Sequence, residues 1–252
     1  MSIRFTDDLS EYPDKEKKDM TDEAKRLIKP EYTFEDMVDI MALLRSENGC
    51  PWDRVQTHES IRENFIEETY EAVEAIDNKD IPNLREELGD VMLQVLFHTQ
   101  MEKELGNFDI SDVITEVCTK LVVRHPHIFG EVDADTPEKV LDNWEDIKIK
   151  TKGQTQGKKR LEDVPKSLPA LMRAHKVVKR AEKAGADFGE PEDVSAETSA
   201  LLGKLASANS AGKEEIMGKL LMNLVILAKK FEIEPEKALT NAINCYIISY
   251  KG

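Results

Sequence analysis

The stretch from residue 67 to residue 90, EETYEAVEAIDNKDIPNLREELGD, limits the fold more than any other. Two acidic, helix-forming runs flank Asp80-Ile81-Pro82, where the proline suits the first turn of a new helix. Glu68 and Glu71 stand three residues apart, as do Glu87 and Asp90, and residues at that spacing share a helix face. If the two helices pack antiparallel with those faces together, four carboxylates converge on a small volume. At 4 Å and an effective dielectric of 20, each like-charge pair costs roughly 4 kcal/mol. The pattern therefore implies a bound metal, raised carboxylate pKa values, or faces that do not meet.

The rest of the composition favours helices around that hairpin. Hydrophobic residues make up 40% of the 252, aromatics only 6%, and glycines are few, so an all-α fold of one large domain or two modest ones is expected. A formal net charge of −15 argues against a nucleic-acid-binding surface, although a nucleotide can still be held by a metal and a few local cations. Cys50, Cys118 and Cys245 are far apart and odd in number, which reads as reduced thiols in a cytoplasmic protein. Neither a secretory leader nor an apolar run of membrane-spanning length is present, so no membrane association is expected.

Along the chain, residues 1–30 read as a charged tail or a loosely attached helix. Thr33 and Asp36 predict a capped helix with Phe34, Met37, Met41 and Leu44 on one face, broken by Asn48-Gly49-Cys50-Pro51-Trp52-Asp53. A second helix is expected from about residue 60 to 78, with Ile61, Phe65, Ala72, Val73 and Ile76 facing a core. A third, about 83–105, carries Leu84, Leu88, Val91, Val95 and Leu96 on one side and Glu87, Asp90, Gln94 and His98 on the other. Asp109 or Ser111 caps a fourth helix with Val113, Val117 and Leu121 inward, and Thr136-Pro137 starts a fifth. Residues 151–166 are the expected linker between a first domain, 31–150, and a second, 167–252. Further helices are expected over about 167–184, 194–207, 213–231 and 236–250.

The second half resembles a repeat of the first. A shift of 129 residues lays Glu68 on Glu197, Glu86 on Glu215 and Gly89 on Gly218, and Val91-Met92-Leu93 on Leu220-Leu221-Met222. The apolar pattern survives this shift and the acidic one does not. Glu71 meets Ala200, Glu87 meets Ile216 and Asp90 meets Lys219.

Oxygen ligands in this number suit Mg²⁺ or Mn²⁺, although ExxE spacings also arise on solvated helix faces of a chain that is 34% charged. Lys120 and Arg124, four residues apart, can clamp a di- or triphosphate or complement a helix C-terminus. Trp52 and Trp144 are candidates to stack on a base or to be buried, and Lys148 can reach its phosphates. His98 lines the pocket or is a hydrogen-bonded interior residue.

Glu67-Glu68-x-x-Glu71 followed by Glu87-x-x-Asp90 resembles the signature of the MazG nucleoside triphosphate pyrophosphohydrolases. The likeness extends to residues 48–53, to Arg124-His125-Pro126-His127-Ile128-Phe129, to Trp144-Glu145-Asp146-Ile147-Lys148 and to Ser167-Leu168-Pro169-Ala170-Leu171, covering about residues 33–250. It implies two tandem MazG-like domains, four-helix-bundle-type cores formed across a homodimer, and Mg²⁺-dependent conversion of an NTP to NMP and pyrophosphate. On this resemblance Glu68, Glu71, Glu87 and Asp90 match the metal ligands, and Glu67 matches a residue that orients or deprotonates the attacking water. Lys120 and Arg124 match the phosphate-binding pair, and Trp144 with Lys148 a nucleotide-contacting pair. Trp52 and Asp53 lie in a matching motif and are candidate substrate-binding residues. Full-length family members carry acidic motifs in both halves, so the loss in the second half places activity in the first. The alternative is a nucleotide-sensing or partner-binding module whose hydrolysis has faded.

Overall fold

The computed structural model describes residues 21–130, 136, 140 and 161–250. Among them are eleven α-helices, one 3₁₀ turn at Leu161–Asp163 and no strand. The chain divides into two compact units, Met1–Trp144 and Glu145–Gly252.

In the first unit, α1 (Asp22–Arg26) is a single capped turn that leads to the buried Leu27. α2 (Phe34–Arg45) starts at the expected box: the Thr33 side chain accepts from the Asp36 amide and the Asp36 side chain accepts from the Thr33 amide. The chain then passes close to the end of α2, where the Cys50 amide donates to the Leu44 carbonyl at 2.7 Å. Gly49 permits this, because a Cβ there would lie 2.2 Å from the Leu43 carbonyl oxygen. Instead of a plain break, the segment that follows forms a short helix, α3 (Pro51–Val55), with Pro51 in its first turn.

α4 (Arg62–Asn78) and α5 (Ile81–Glu104) form the hairpin. Lys79 takes a left-handed conformation at φ 56°, the Asp80 amide donates to the Ala75 carbonyl, and the Asp80 side chain accepts from Asn83. One connection thus closes one helix and caps the next. α5 begins two residues before the expected start, because Asp80 is its cap and Pro82 lies inside its first turn. α6 (Ile110–Arg124) opens on a reciprocal Asp109–Asp112 box, and α7 (Pro126–Phe129) is one turn after His125. Met41 of α2, Ile61, and Leu96, Phe97 and Met101 of α5 make the core, flanked by Met37, Val38, Leu93 and Ile110.

Several positions expected to face that core do not. Val73, Ile76, Leu88, Val117 and Leu121 are exposed, and Ala72 and Ala75 are the buried positions of α4. Periodicity marks which side of a helix is apolar, not whether the same unit covers it.

The second unit contains α8 (Ala170–Lys183), α9 (Pro191–Leu205), α10 (Ser210–Lys230) and α11 (Pro235–Tyr250). Its core joins Val178, Val194, Val225 and Ile226, with Leu171, Ala174, Phe188 and Leu227 around them. α9 and α10 start at residues 191 and 210, each 129 residues after the starts of α4 and α5 at 62 and 81. At that same offset the buried Leu96 and Phe97 correspond to the buried Val225 and Ile226. The helix expected from residue 136, and the linker as far as residue 160, lie outside the described residues.

Candidate active site

The hairpin brings together the acids that local spacing pairs. Carboxylate oxygens of Glu68, Glu71 and Glu87 lie within 4.8 Å of one another, from two helices. That span is close to twice a hard-cation–oxygen bond of about 2.0–2.5 Å. Asp90, one turn after Glu87, is half-buried and raises the proton affinity of both Glu68 and Glu87, although it stands outside that triad. Burial, then the neighbouring carboxylates, push Glu68, Glu87 and Asp90 above the usual carboxylate range. For Glu68 the neighbours are Asp90, Glu71, Glu87 and Glu67. For Glu87 they begin with Glu71, which also hydrogen-bonds it, and for Asp90 they are Glu86 and Glu71. Among the described residues, no lysine or arginine pairs with Glu68, Glu71, Glu87 or Asp90. An all-carboxylate donor set without imidazole or thiolate fits a hard divalent cation such as Mg²⁺ or Mn²⁺.

Trp52 is 58% exposed, its ring edge-on to Phe97 at 6.5 Å. It is therefore available to a ligand rather than buried. Asp53 is half-buried and its carbonyl accepts from Arg45. On α6, Lys120 is exposed while Arg124 is buried and engaged by other groups, so the two share a face but not an environment. Trp144 and Lys148 lie outside the described residues.

Two arrangements escaped the sequence reading. Arg45, its side chain 6% exposed, forks onto Glu104 at 2.9 and 2.8 Å, donates to the carbonyls of Asp53 and Gln56, and lies 5.3 Å from the Phe97 ring centre. It ties the Trp52 segment to α5. Burial alone would raise the Glu104 pKa, but its bonds from Arg45 and Gln100 hold it below the ordinary value. Beside this clamp, the His58 and His98 Nδ1 atoms meet at 2.7 Å, and His58 Nε2 lies 2.6 Å from Glu102 Oε1. His98 is thus the hydrogen-bonded histidine, packed against Phe65. The only sequence signal for the trio was His98 on the polar stripe of α5, because its partner His58 is 40 positions away.

The second unit has different chemistry. Lys219 pairs with Glu215 at 2.6 Å, and that bond, then the nearby charges of Glu215 and Glu197, raise the Lys219 pKa. A cavity of about 600 Å³ opens near α8, but its lining includes the His175–Glu234 and Lys229–Glu182 pairs, so part of its charge is already matched.

Residues 56–129 match the family described as the MazG nucleotide pyrophosphohydrolase domain, a segment that holds the whole acid cluster and the histidine trio. The chain is 42% identical over 219 residues to the nucleoside triphosphate pyrophosphohydrolase/pyrophosphatase MazG of Thermotoga maritima, covering 86% of this chain and 84% of that one. It is 41% identical over 218 residues to the nucleoside triphosphate pyrophosphohydrolase of Escherichia coli, covering 82% and 81%. An uncharacterized Bacillus subtilis protein, YabN, is 43% identical over 214 residues, which span 83% of this chain but 44% of that protein. Among the described residues, no helix is long and apolar enough to cross a membrane.

Proposed function

Because the chain belongs to the MazG family, we propose that it hydrolyses nucleoside triphosphates to the monophosphate and pyrophosphate, with magnesium, at the α4–α5 hairpin. The observation that carries this is the gathering of Glu68, Glu71 and Glu87 with, among the described residues, no lysine or arginine paired to them. Together with Asp90, these residues would hold Mg²⁺, or Mn²⁺ in its place. The ion would neutralise the triphosphate and lower the pKa of a water. Glu67 orients that water or takes its proton. Lys120 and Arg124 bind phosphate oxygens and offset the charge that develops as pyrophosphate leaves. The exposed Trp52 stacks on the base beside Asp53, with Trp144 and Lys148 assigned to the nucleotide from the family resemblance.

The second unit is proposed to be a tandem copy of the first whose acid site has degenerated, supported by the shared helix starts and core positions. The exposed apolar residues of α4, α5 and α6 support a homodimer in which a second copy covers them. Sedimentation at micromolar concentration is expected to give twice the chain mass, and a monomer would overturn that assembly. The free thiols of Cys50, Cys118 and Cys245 are consistent with a cytoplasmic setting.

Product analysis over a panel of NTPs and dNTPs with magnesium tests the activity. Pyrophosphate is expected in equal amount to the monophosphate, with Glu71→Ala reducing the rate by about 10²–10³-fold, in the range seen when one group that stabilises transition-state charge is removed. Orthophosphate as the sole inorganic product, or full activity in the variant, would overturn the proposal. Tight magnesium-dependent binding without turnover would assign the chain to nucleotide sensing instead.

A further inference from the structure

The contact between His58 and His98 constrains its own proton count. Two imidazole nitrogens 2.7 Å apart form a hydrogen bond only if one proton lies between them, since two lone pairs or two N–H groups repel. The rings are parallel to within 3° and their centroids are 5.0 Å apart. The centroid separation exceeds the nitrogen separation by about the two ring radii, so the nitrogens lie on the line between the rings. This geometry suits a shared proton and not a metal held by both rings, which would need a bent N–metal–N angle.

Glu102 settles which nitrogen donates. Its carboxylate accepts from His58 Nε2, so with both rings neutral His58 Nδ1 is the acceptor and His98 Nδ1 carries the proton. A first added proton enters at His98 Nε2, and the shared proton shifts to His58, leaving an imidazolium against Glu102. The Nδ1–H···Nδ1 bond survives this step. A second added proton puts an N–H on both facing nitrogens and breaks it. Several groups face the pair. On α5, Glu102 faces His58 and is itself held by Asn107, while Glu59 adds negative charge beside His58. From α4 the neutral Phe65 ring covers His98, and from α2 the Arg45 charge is committed to Glu104. Burial, then the neighbouring His58, hold the His98 pKa below the ordinary imidazole value.

The trio sits where the proposed site needs a fixed distance. His58 follows Trp52 and Asp53 on the segment leading into α4, while His98 and Glu102 share α5 with Glu87 and Asp90. The second unit supplies a comparison. At the 129-residue offset, His58, His98 and Glu102 correspond to Asp187, Leu227 and Phe231. Phe65, which packs on His98, corresponds to Val194, and Leu227 packs in the core that Val194 joins. The trio disappears in the same half as the acid cluster, while the helix starts persist, as does the buried pair Leu96 and Phe97, matched by Val225 and Ile226. A part required only for folding would not be expected to follow the acids.

We propose that His58, His98 and Glu102 are positioning residues, a proton-counting clasp that fixes the Trp52 segment against the helix carrying Glu87 and Asp90. The clasp is closed with up to one added proton and opened by the second. It rests on the proposed hydrolysis only for its purpose. Because the closed state excludes the second proton, the clasp is fully formed above the ordinary imidazole pKa. It loosens as pH falls below about 6.5.

Histidine ¹⁵N NMR on the full chain without substrate reads the clasp directly. At pH 7.5 we expect His58 as the Nε2–H tautomer and His98 as the Nδ1–H tautomer, with coupling across the shared proton. Two ordinary imidazoles titrating independently would overturn the proposal. Kinetics give the second reading. His98→Leu should raise KM about tenfold at every pH with a smaller effect on kcat, as expected for displaced rather than removed binding groups. His98→Asn keeps an amide at the Nδ1 position and cannot take a proton. It should retain the wild-type KM at pH 7.5 and lose the acid-side rise in KM. An undiminished acid-side rise in that variant would overturn the clasp. Absence of hydrolysis in the wild type would overturn the proposed function, and the tautomer spectrum would still decide the clasp.

Discussion

The α4–α5 and α9–α10 hairpins begin at matched positions and share a buried pair, Leu96 and Phe97 in one and Val225 and Ile226 in the other, yet they treat charge in opposite ways. In the first, Glu68, Glu71 and Glu87 crowd together, and burial with mutual repulsion raises the Glu68 and Glu87 pKa values. In the second, Lys219 stands where Asp90 would be and binds Glu215, with Glu197 close enough to add to the effect. The comparison separates two requirements that coincide in a single hairpin. Packing two helices needs the apolar residues, which both hairpins have. It does not need the acids, so their crowding in the first hairpin calls for a reason outside folding.

The largest expected effect comes from making the first hairpin resemble the second. Asp90→Lys should abolish pyrophosphate release, leave the helical circular dichroism unchanged, and remove the stabilisation that magnesium gives. In the wild type, magnesium at about 100 times its dissociation constant is expected to stabilise by about 2.7 kcal/mol, read as a rise in melting temperature. Equal magnesium-induced shifts in the two proteins would break the comparison.

A smaller effect concerns pH without metal. Glu68, Glu87 and Asp90 have folded pKa values above their ordinary ones, so the folded chain holds those protons more tightly than the unfolded chain. Their contribution to stability is present below the ordinary carboxylate pKa and lost as pH rises through the raised values. Each shifted unit is worth about 1.4 kcal/mol, discounted here because the groups are largely hydrated. Metal-free denaturation at pH 4.5 and 7.5 should show this loss in the wild type and a smaller one in Asp90→Lys. The opposite ranking would mean that the acids do not repel as their placement implies.

Much of this contrast was legible in the sequence, because it rests on short-range spacing. ExxE and ExxD place acids on one helix face, and Asp80-Ile81-Pro82 and Asp109 mark helix starts through local hydrogen bonds. What escaped depends on partners far apart in the chain. Arg45 finds Glu104 59 residues away, and nothing near Arg45 indicates that its remaining N–H groups will hold the carbonyls of Asp53 and Gln56. α3 was hidden because Gly49 and Pro51 signal a break, whereas Pro51 also suits a first helical turn. The exposed Val73, Ile76 and Leu88 were misplaced because an apolar stripe reports a preference for burial without naming what covers it.

The Lys219–Glu215 pair has a consequence of another kind. An ammonium on a side chain is a counterion whose local concentration is set by covalent bonds, whatever the surrounding solution contains. A cation recruited by Glu68, Glu71 and Glu87 must be drawn from that solution. If the first hairpin holds the proposed cation, the two differ in what they can sense: the charge balance of one is written into the chain, and that of the other would follow the ionic supply around it.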